Sequence, residues 1–253
     1  MDIQRDNSGV AHIVGISGGK DSVALATALP RKEPRPYTFV MTPTGDELPE
    51  MVEHIARVEQ IIGQPISLLT NGTLASVIEQ NNMLPNYRAR FCTRILKLRP
   101  YGKFMTEVAP AVSYIGLRAD EDEREGARPG GDYAAQNTKV VQDFPFQRWG
   151  WDIDAVWTWL GILGIEIPER TDCARCPYQK LGEWWNLWHD HLDIYLNAEA
   201  DEARYGHTFR SAQRDAWPAS LRELRLLFEA GKKPETSLRM MEQRKGMCRA
   251  CSM

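Results

Sequence analysis

Apolar and polar positions divide the chain into two stretches with different rhythms. The first carries short, continuous apolar runs. "AHIVGI" (11–16) is β-branched, ends at a glycine–isoleucine step before Ser17, and predicts a buried strand. "DSVALATAL" (21–29) predicts a helix that stops at Pro30, and "PYTFVMTP" (36–43) a second strand. "ELPEMVEHIARVEQIIG" (47–63) has apolar residues at helical spacing and a closing glycine. "PISLLT" (65–70) and "AVSYIGL" (111–117) predict further strands, with a short helix at 74–81 between them. Strands alternating with helices predict an α/β fold with a doubly wound, mostly parallel sheet.

The rhythm changes after about residue 145. Residues 152–164, 181–205 and 218–231 read as helices, the first two rich in tryptophan. The expectation is an α/β domain over 1–150 and a helical C-terminal region over 151–253. There is no internal repeat and no low-complexity segment. His189 and His191 are two apart, which does not suit a shared helical metal site, and they read as surface or cap residues.

Composition adds bounds. The chain has 253 residues, 43% hydrophobic and 26% charged, as in an ordinary globular protein. A net charge of −3 argues against a general nucleic-acid coat and leaves room for a local basic patch. Eight Lys or Arg against four Glu between 222 and 249 read as a solvated face or a weak patch for a phosphorylated or nucleic-acid substrate. No apolar run reaches the length of a bilayer span, and the start "MDIQRDNSGV" lacks a signal-peptide core, so no membrane contact and a cytoplasmic location are expected.

"GISGGKDSVAL" (15–25) joins the first strand to the first helix. A Walker A loop needs a hydroxyl directly after the lysine, and here Lys20 is followed by Asp21; the glycine spacing fails too. The glycines let the backbone approach an anion, and the first turn of the helix presents amide groups and the positive end of its dipole. Ser17 and Ser22 can add hydroxyls, Lys20 a charge, and Asp21 a helix cap. Ser17, Gly18, Gly19, Lys20, Asp21 and Ser22 are therefore candidate phosphate-binding residues.

Ser17 to Ser22 resemble the signature of the PP-loop ATP pyrophosphatase (adenine nucleotide α-hydrolase-like) superfamily. Four further segments resemble, in order, those of its phosphoadenosine phosphosulfate (PAPS) reductase-like branch: "TPTGDELPE" (42–50), "RFCTRILKLRP" (90–100), "IGLRADEDERE" (115–125) and "PFQRWGWDIDAVWTWL" (145–160). Pro43 stands in place of the branch's first aspartate and Asp122 in place of a serine. The resemblance implies a PP-loop (HUP-like) core. It also implies an adenine nucleotide, ATP with Mg²⁺ or a sulfonucleotide such as PAPS or adenylylsulfate. Arg94, Lys97, Arg118 and Arg124 would clamp phosphate or sulfate oxygens. Asp46 would lie near the nucleotide or magnesium. Lys20, Asp46 and Arg118 are the candidate catalytic residues.

The five cysteines are Cys92, Cys173, Cys176, Cys248 and Cys251, and the last four form two CxxC pairs. In a reducing compartment such pairs are metal sites or redox dithiols more often than structural disulfides. The two pairs together match a four-thiolate zinc site by type and spacing. "CRAC" (248–251) also reads as a redox dithiol that reaches the active site. Adenylylsulfate-type reductases of the branch hold a [4Fe-4S] cluster with a Cys-Cys pair and a later CxxC. Here Phe91 replaces the first residue of that pair, so the resemblance implies Cys92, Cys173 and Cys176, with Cys248 or Cys251 as fourth ligand.

The leading expectation is an enzyme that adenylylates a substrate and releases pyrophosphate in a sulfur-transfer or nucleic-acid-modification reaction. The alternative is a sulfonucleotide reductase with a C-terminal thiol and a thioredoxin-like or sulfur-donor partner. A third class is a non-catalytic nucleotide-binding or assembly protein. A homodimer is compatible with each.

Overall fold

The structure, a computed structural model, describes residues 3–121, 139–212 and 214–235. Five strands, β1 (Ala11–Gly15), β2 (Tyr37–Met41), β3 (Ile66–Leu68), β4 (Ala111–Tyr114) and β5 (Val140–Asp143), form one parallel sheet in the order β3-β2-β1-β4-β5. β1 lies at the centre: His12 pairs with Tyr37 on one side and Val112 on the other. Strand order reverses beside β1, which opens a crevice at the carboxyl ends of β1 and β4.

Side chains of β1 alternate between the two faces. Val14 joins a cluster with α1 (Lys20–Lys32), α2 (Pro49–Ile62) and, from the later chain, Phe146 of α5 (Pro145–Trp149) with Val156 and Leu160 of α6 (Ile153–Ile162). Ala11 and Ile13 pack on the other face against Phe104 and Met105 of α4 (Arg99–Glu107). Helices cover both faces, so the doubly wound α/β expectation holds.

A third cluster forms the helical C-terminal part. Trp184 and Leu187 of α7 (Leu181–Asp190), Tyr195 and Ala198 of α8 (Leu192–Tyr205) and Leu224 and Phe228 of α9 (Leu221–Glu229) meet α3 (Leu74–Asn81) there, together with Leu48 and Met51. α2 belongs to two cores, with Met51 in this one and Val58 against the sheet. Phe91 is buried in the helical cluster, so the residue that replaces the family's first cysteine packs as core.

Three expectations are corrected. The helix expected to stop at Pro30 runs to Lys32. Pro30 sits in its last turn, where the missing N–H costs a single helical bond, and Glu33 N donates to Leu29 O to close the end. The segment 181–205 is two helices, broken at His191, whose Nε2 lies 3.3 Å from Glu50 Oε1. Asp21 is not the cap of α1; Gly19 is, without a side-chain bond.

The sequence pattern predicts neither β5 nor residues 93–107. β5 is an edge strand with half its length polar. Thr93–Leu98 is a π-helical segment that runs into α4. Arg99 N donates to Arg94 O, five residues back, which widens the turn, while the Ile95 carbonyl that an α-helix would use accepts from Asn71 Nδ2 at 2.9 Å. Among the described residues no helix is long and apolar enough to cross a membrane.

Candidate functional site

The phosphate-type loop leaves β1 and enters α1 with Gly18 at φ +80°. A Cβ at Gly18 would come within 1.8 Å of Met51 Cε, so the conformation calls for glycine and any other residue would also have to displace the end of the Met51 side chain. The Gly18 carbonyl lies 3.1 Å from Nε2 of His54, which is buried on α2. Burial holds the His54 pKa below its ordinary value, so the neutral ring donates Nε2–H to that carbonyl. This bond fixes the Gly18–Gly19 peptide plane, which turns the Gly19 N–H away from His54. Nothing in the sequence motif marks His54.

The loop's own polar groups pair with each other. Ser17 Oγ and Ser22 Oγ are 3.1 Å apart, and Ser22 Oγ donates to Gly19 O. Lys20 is buried, with Nζ 2.7 Å from Asp21 Oδ2. Arg118, which follows β4, donates to Asp21 at 3.2 Å and to Asp120 at 2.9 Å, with Glu121 at 3.5 Å. Burial opposes the Arg118 charge, but these carboxylates outweigh it and its pKa rises. Lys20, Asp21 and Arg118 thus form one ion cluster at the first turn of α1.

A cavity of about 170 Å³ opens beside this corner, at the carboxyl ends of β1 and β2. Ser17, Thr42, Glu47, Lys97, Tyr101 and Cys173 are among its lining. A second, smaller cavity of about 30 Å³ is lined by Cys92, Cys173 and Cys176, with Thr44, Lys97 and Arg175. Lys97 and Cys173 line both, so a phosphate-type loop and a thiol share a wall.

The thiol loop is held by side chains. Asp46 is 9% exposed, and its carboxylate accepts hydrogen bonds from Arg175 N (2.8 Å) and Nε (2.7 Å), with NH2 in ion-pair contact at 2.6 Å. The Asp46 carbonyl accepts from Ala174 N, and Arg175 NH1 reaches Asp201 at 2.6 Å. Burial raises the Asp46 carboxyl above its ordinary value, and the Arg175 guanidinium opposes that rise. Asp46 was expected at the nucleotide or magnesium; the structure turns its carboxylate to the thiol loop, and its neighbour Glu47 lines the 170 Å³ cavity. The Thr44 hydroxyl lies within hydrogen-bond distance of Glu47 Oε1 (2.7 Å) and Cys173 Sγ (3.3 Å). Burial pushes all three thiols up, Cys176 to about 12.

The other expected residues divide. Arg94 is exposed and lines neither cavity. Arg124, Cys248 and Cys251 lie outside the described residues. A [4Fe-4S] cluster or a tetrahedral zinc needs four donors. The described residues supply three thiols around one cavity, and among them no three ligating side chains converge closely enough to hold a metal ion. The described donor set alone therefore does not fit either group. Magnesium is commonly bound by one or two carboxylates together with phosphates. Glu47 is the carboxylate among the residues that line the phosphate-side cavity.

The phosphoadenosine phosphosulfate reductase domain model matches residues 11–184. An uncharacterized protein of Methanocaldococcus jannaschii is 23% identical over 204 residues, which is 72% of this chain and 42% of that protein. The chain thus spans less than half the length of that relative. A solved structure of phosphoadenylyl-sulfate (PAPS) reductase from Candida auris, in a phosphate complex, aligns with a TM-score of 0.49 at 10% identity, covering 62% of this chain and 75% of that one. The family match runs from the first strand to the first turn of α7 and takes in both the phosphate-type loop and the thiol loop: this chain belongs to the phosphoadenosine phosphosulfate reductase domain family.

Proposed function

We propose that the chain is an enzyme that binds ATP at the Ser17–Ser22 loop and transfers its adenylyl group to a substrate oxygen in a sulfur-transfer or nucleic-acid-modification reaction. One observation carries the reading: Ser17, Lys97 and Cys173 line a single cavity at the carboxyl ends of β1 and β2. That cavity is smaller than one that encloses a drug-sized ligand, so it suits one end of a nucleotide. The substrate oxygen attacks the α-phosphorus, the α–β phosphoanhydride bond breaks, and pyrophosphate leaves. Loop amides, the α1 dipole and the Lys97 ammonium stabilise the departing charge. Magnesium would neutralise phosphate charge, with Glu47 as the protein carboxylate.

A second reading is favoured by Cys173 in the same cavity. A cysteine sulfur attacks the sulfuryl sulfur of adenylylsulfate or PAPS; an S–S bond forms, the S–O bond to phosphate breaks, and AMP or its 3′-phosphate leaves. A second thiol then releases sulfite and closes a disulfide, which a thioredoxin-like dithiol reduces with two electrons. Burial raises the pKa of Cys173 and Cys176, which works against either as the attacking thiol, while the C-terminal Cys248 and Cys251 lie outside the described residues.

The test is product analysis on the full chain. With ATP, Mg²⁺ and candidate acceptors, pyrophosphate release supports the first reading. Thiol-dependent sulfite release from adenylylsulfate or PAPS supports the second. Tight ATP binding with neither product points to a non-catalytic nucleotide-binding protein. Failure of ATP, adenylylsulfate and PAPS to bind sinks all three.

A further inference from the structure

The segment between β2 and α2 faces three ways within six residues. Thr42 and Glu47 line the phosphate-side cavity, Thr44 lines the thiol cavity, and Asp46 grips Arg175. Gly45 makes this possible: its φ is +67°, and a Cβ there would lie 2.8 Å from Thr73 Cγ2. On the opposite side, the Cys173–Cys176 loop has no regular secondary structure of its own. Its two middle residues hang on Asp46, Ala174 through its N–H to the carbonyl and Arg175 through two hydrogen bonds and an ion-pair contact to the carboxylate. Asp201 on α8 holds the far side of the same guanidinium. Every acceptor site of the Asp46 carboxylate that the geometry shows is turned to Arg175.

We propose that Asp46 and Arg175 form a latch that holds the Cys173–Cys176 loop against the wall of the phosphate-side cavity, so that Asp46 is a positioning residue for the thiols and not a ligand of the nucleotide or its metal. The consequence is directional. Neutralising Asp46 frees the thiol loop and leaves the phosphate loop as it was. The carboxylate takes two hydrogen bonds and an ion-pair contact from one residue in a buried place, so the two partners act as a unit and their removal is non-additive. Asp201 touches only NH1, and its loss loosens the latch less.

The experiment uses the full chain as wild type, Asp46→Asn, Arg175→Ala and the double variant. Iodoacetamide labelling of each cysteine is followed by mass spectrometry, and ATP affinity by calorimetry. Either single variant should label Cys173 and Cys176 about tenfold faster through local opening, with no further gain in the double variant. Urea unfolding of each variant serves as reference: faster labelling matched by an equal loss of global stability reports global unfolding and counts against a latch, while Cys92, which lines the same cavity, is expected to follow the loop. The ATP arm rests on the function proposed above; affinity should stay within about twofold. Unchanged labelling in both single variants overturns the proposal. Unchanged labelling with weakened ATP binding in Asp46→Asn returns Asp46 to the nucleotide. If wild type binds no ATP, that function falls while the labelling result still decides the latch. If Asp46→Asn fails to fold, Arg175→Ala and the milder Asp201→Asn carry the same comparison.

Discussion

The two corners that meet at Cys173 are built by different means. The phosphate-side corner is a backbone construction: a strand end, a glycine in the left-handed region, a helix start, and one buried histidine holding a carbonyl. The thiol corner is a side-chain construction. Residues 171–179 contain no helix or strand and are tied down by Arg170, Arg175, Arg214 and Gln179, each bonded to main-chain carbonyls or a carboxylate. A backbone-built corner tolerates few substitutions in a short motif. A side-chain-built corner spreads its determinants over distant positions, from Asp46 to Arg214.

The largest test asks whether the two corners share one folding unit. Trp184 is fully buried and packs on Tyr195 and Phe209. Trp184→Ala should cost about 3–5 kcal/mol, read by urea unfolding. Because α2 places Met51 in the helical core and Val58 in the sheet core, loss of stability should appear as one transition by both circular dichroism and fluorescence. Two separated transitions would show that the corners fold independently.

A pH test follows in size. Glu202 on α8 accepts from Phe209 N (2.9 Å) and Leu221 N (2.7 Å), and burial pushes its carboxyl up to about 7 from 4.5. Its folded pKa lies above the unfolded value, so the folded state binds the extra proton. The contribution is fully present below pH 4.5 and is lost as pH rises through about 7. Stability of the helical part should fall over that window by up to about 3 kcal/mol. Unfolding curves at pH 5 and pH 8 check this, and Glu202→Gln should flatten the dependence.

These differences also explain what could be read from the sequence. The strands β1 to β4 and the glycine turn from β1 into α1 were legible because periodicity and a local motif specify them. β5 was not, since a short edge strand carries no continuous apolar run. Nor was α4, where Pro100 and Gly102 speak against a helix and the Ile95 carbonyl at the π turn pairs with Asn71, 24 residues away. Asp46 was legible as a strand-end acid but not in its pairing with Arg175, which lies 129 residues away. His54, Thr44 and Glu47 are placed by a few hydrogen bonds to the loop, to each other or to Cys173, which no spacing signals.

Lys97 and Arg94 sharpen the comparison at the boundary. Both were expected to clamp an anion, and the π segment separates them: Lys97 lines both cavities while Arg94 is exposed. Lys97→Ala should weaken ATP binding by about 1.5–3 kcal/mol, the value of a bond to a charged group. Arg94→Ala should change it by less than about 0.5 kcal/mol. Calorimetric titration of both variants against wild type checks the pair, and equal losses would move the nucleotide away from the shared wall.

The smallest effect probes the backbone corner itself. Gly18 and Gly150 are both left-handed, at φ +80° and +65°. Alanine at either should cost about 1–2 kcal/mol of folding stability from conformation alone. At Gly150 nothing lies within 4 Å of the added carbon, so the effect should end there. At Gly18 the Cβ meets the end of Met51, a flexible side chain that can move but whose movement disturbs α2 beside His54. Gly18→Ala should therefore weaken ATP binding as well, by about 1 kcal/mol for the loss of one well-oriented hydrogen bond, while Gly150→Ala leaves affinity unchanged. His54→Ala should reproduce the affinity loss without the backbone strain. If all three variants bind ATP as wild type does, the Gly18–Gly19 peptide is not part of the anion site, and the corner is only a turn between strand and helix.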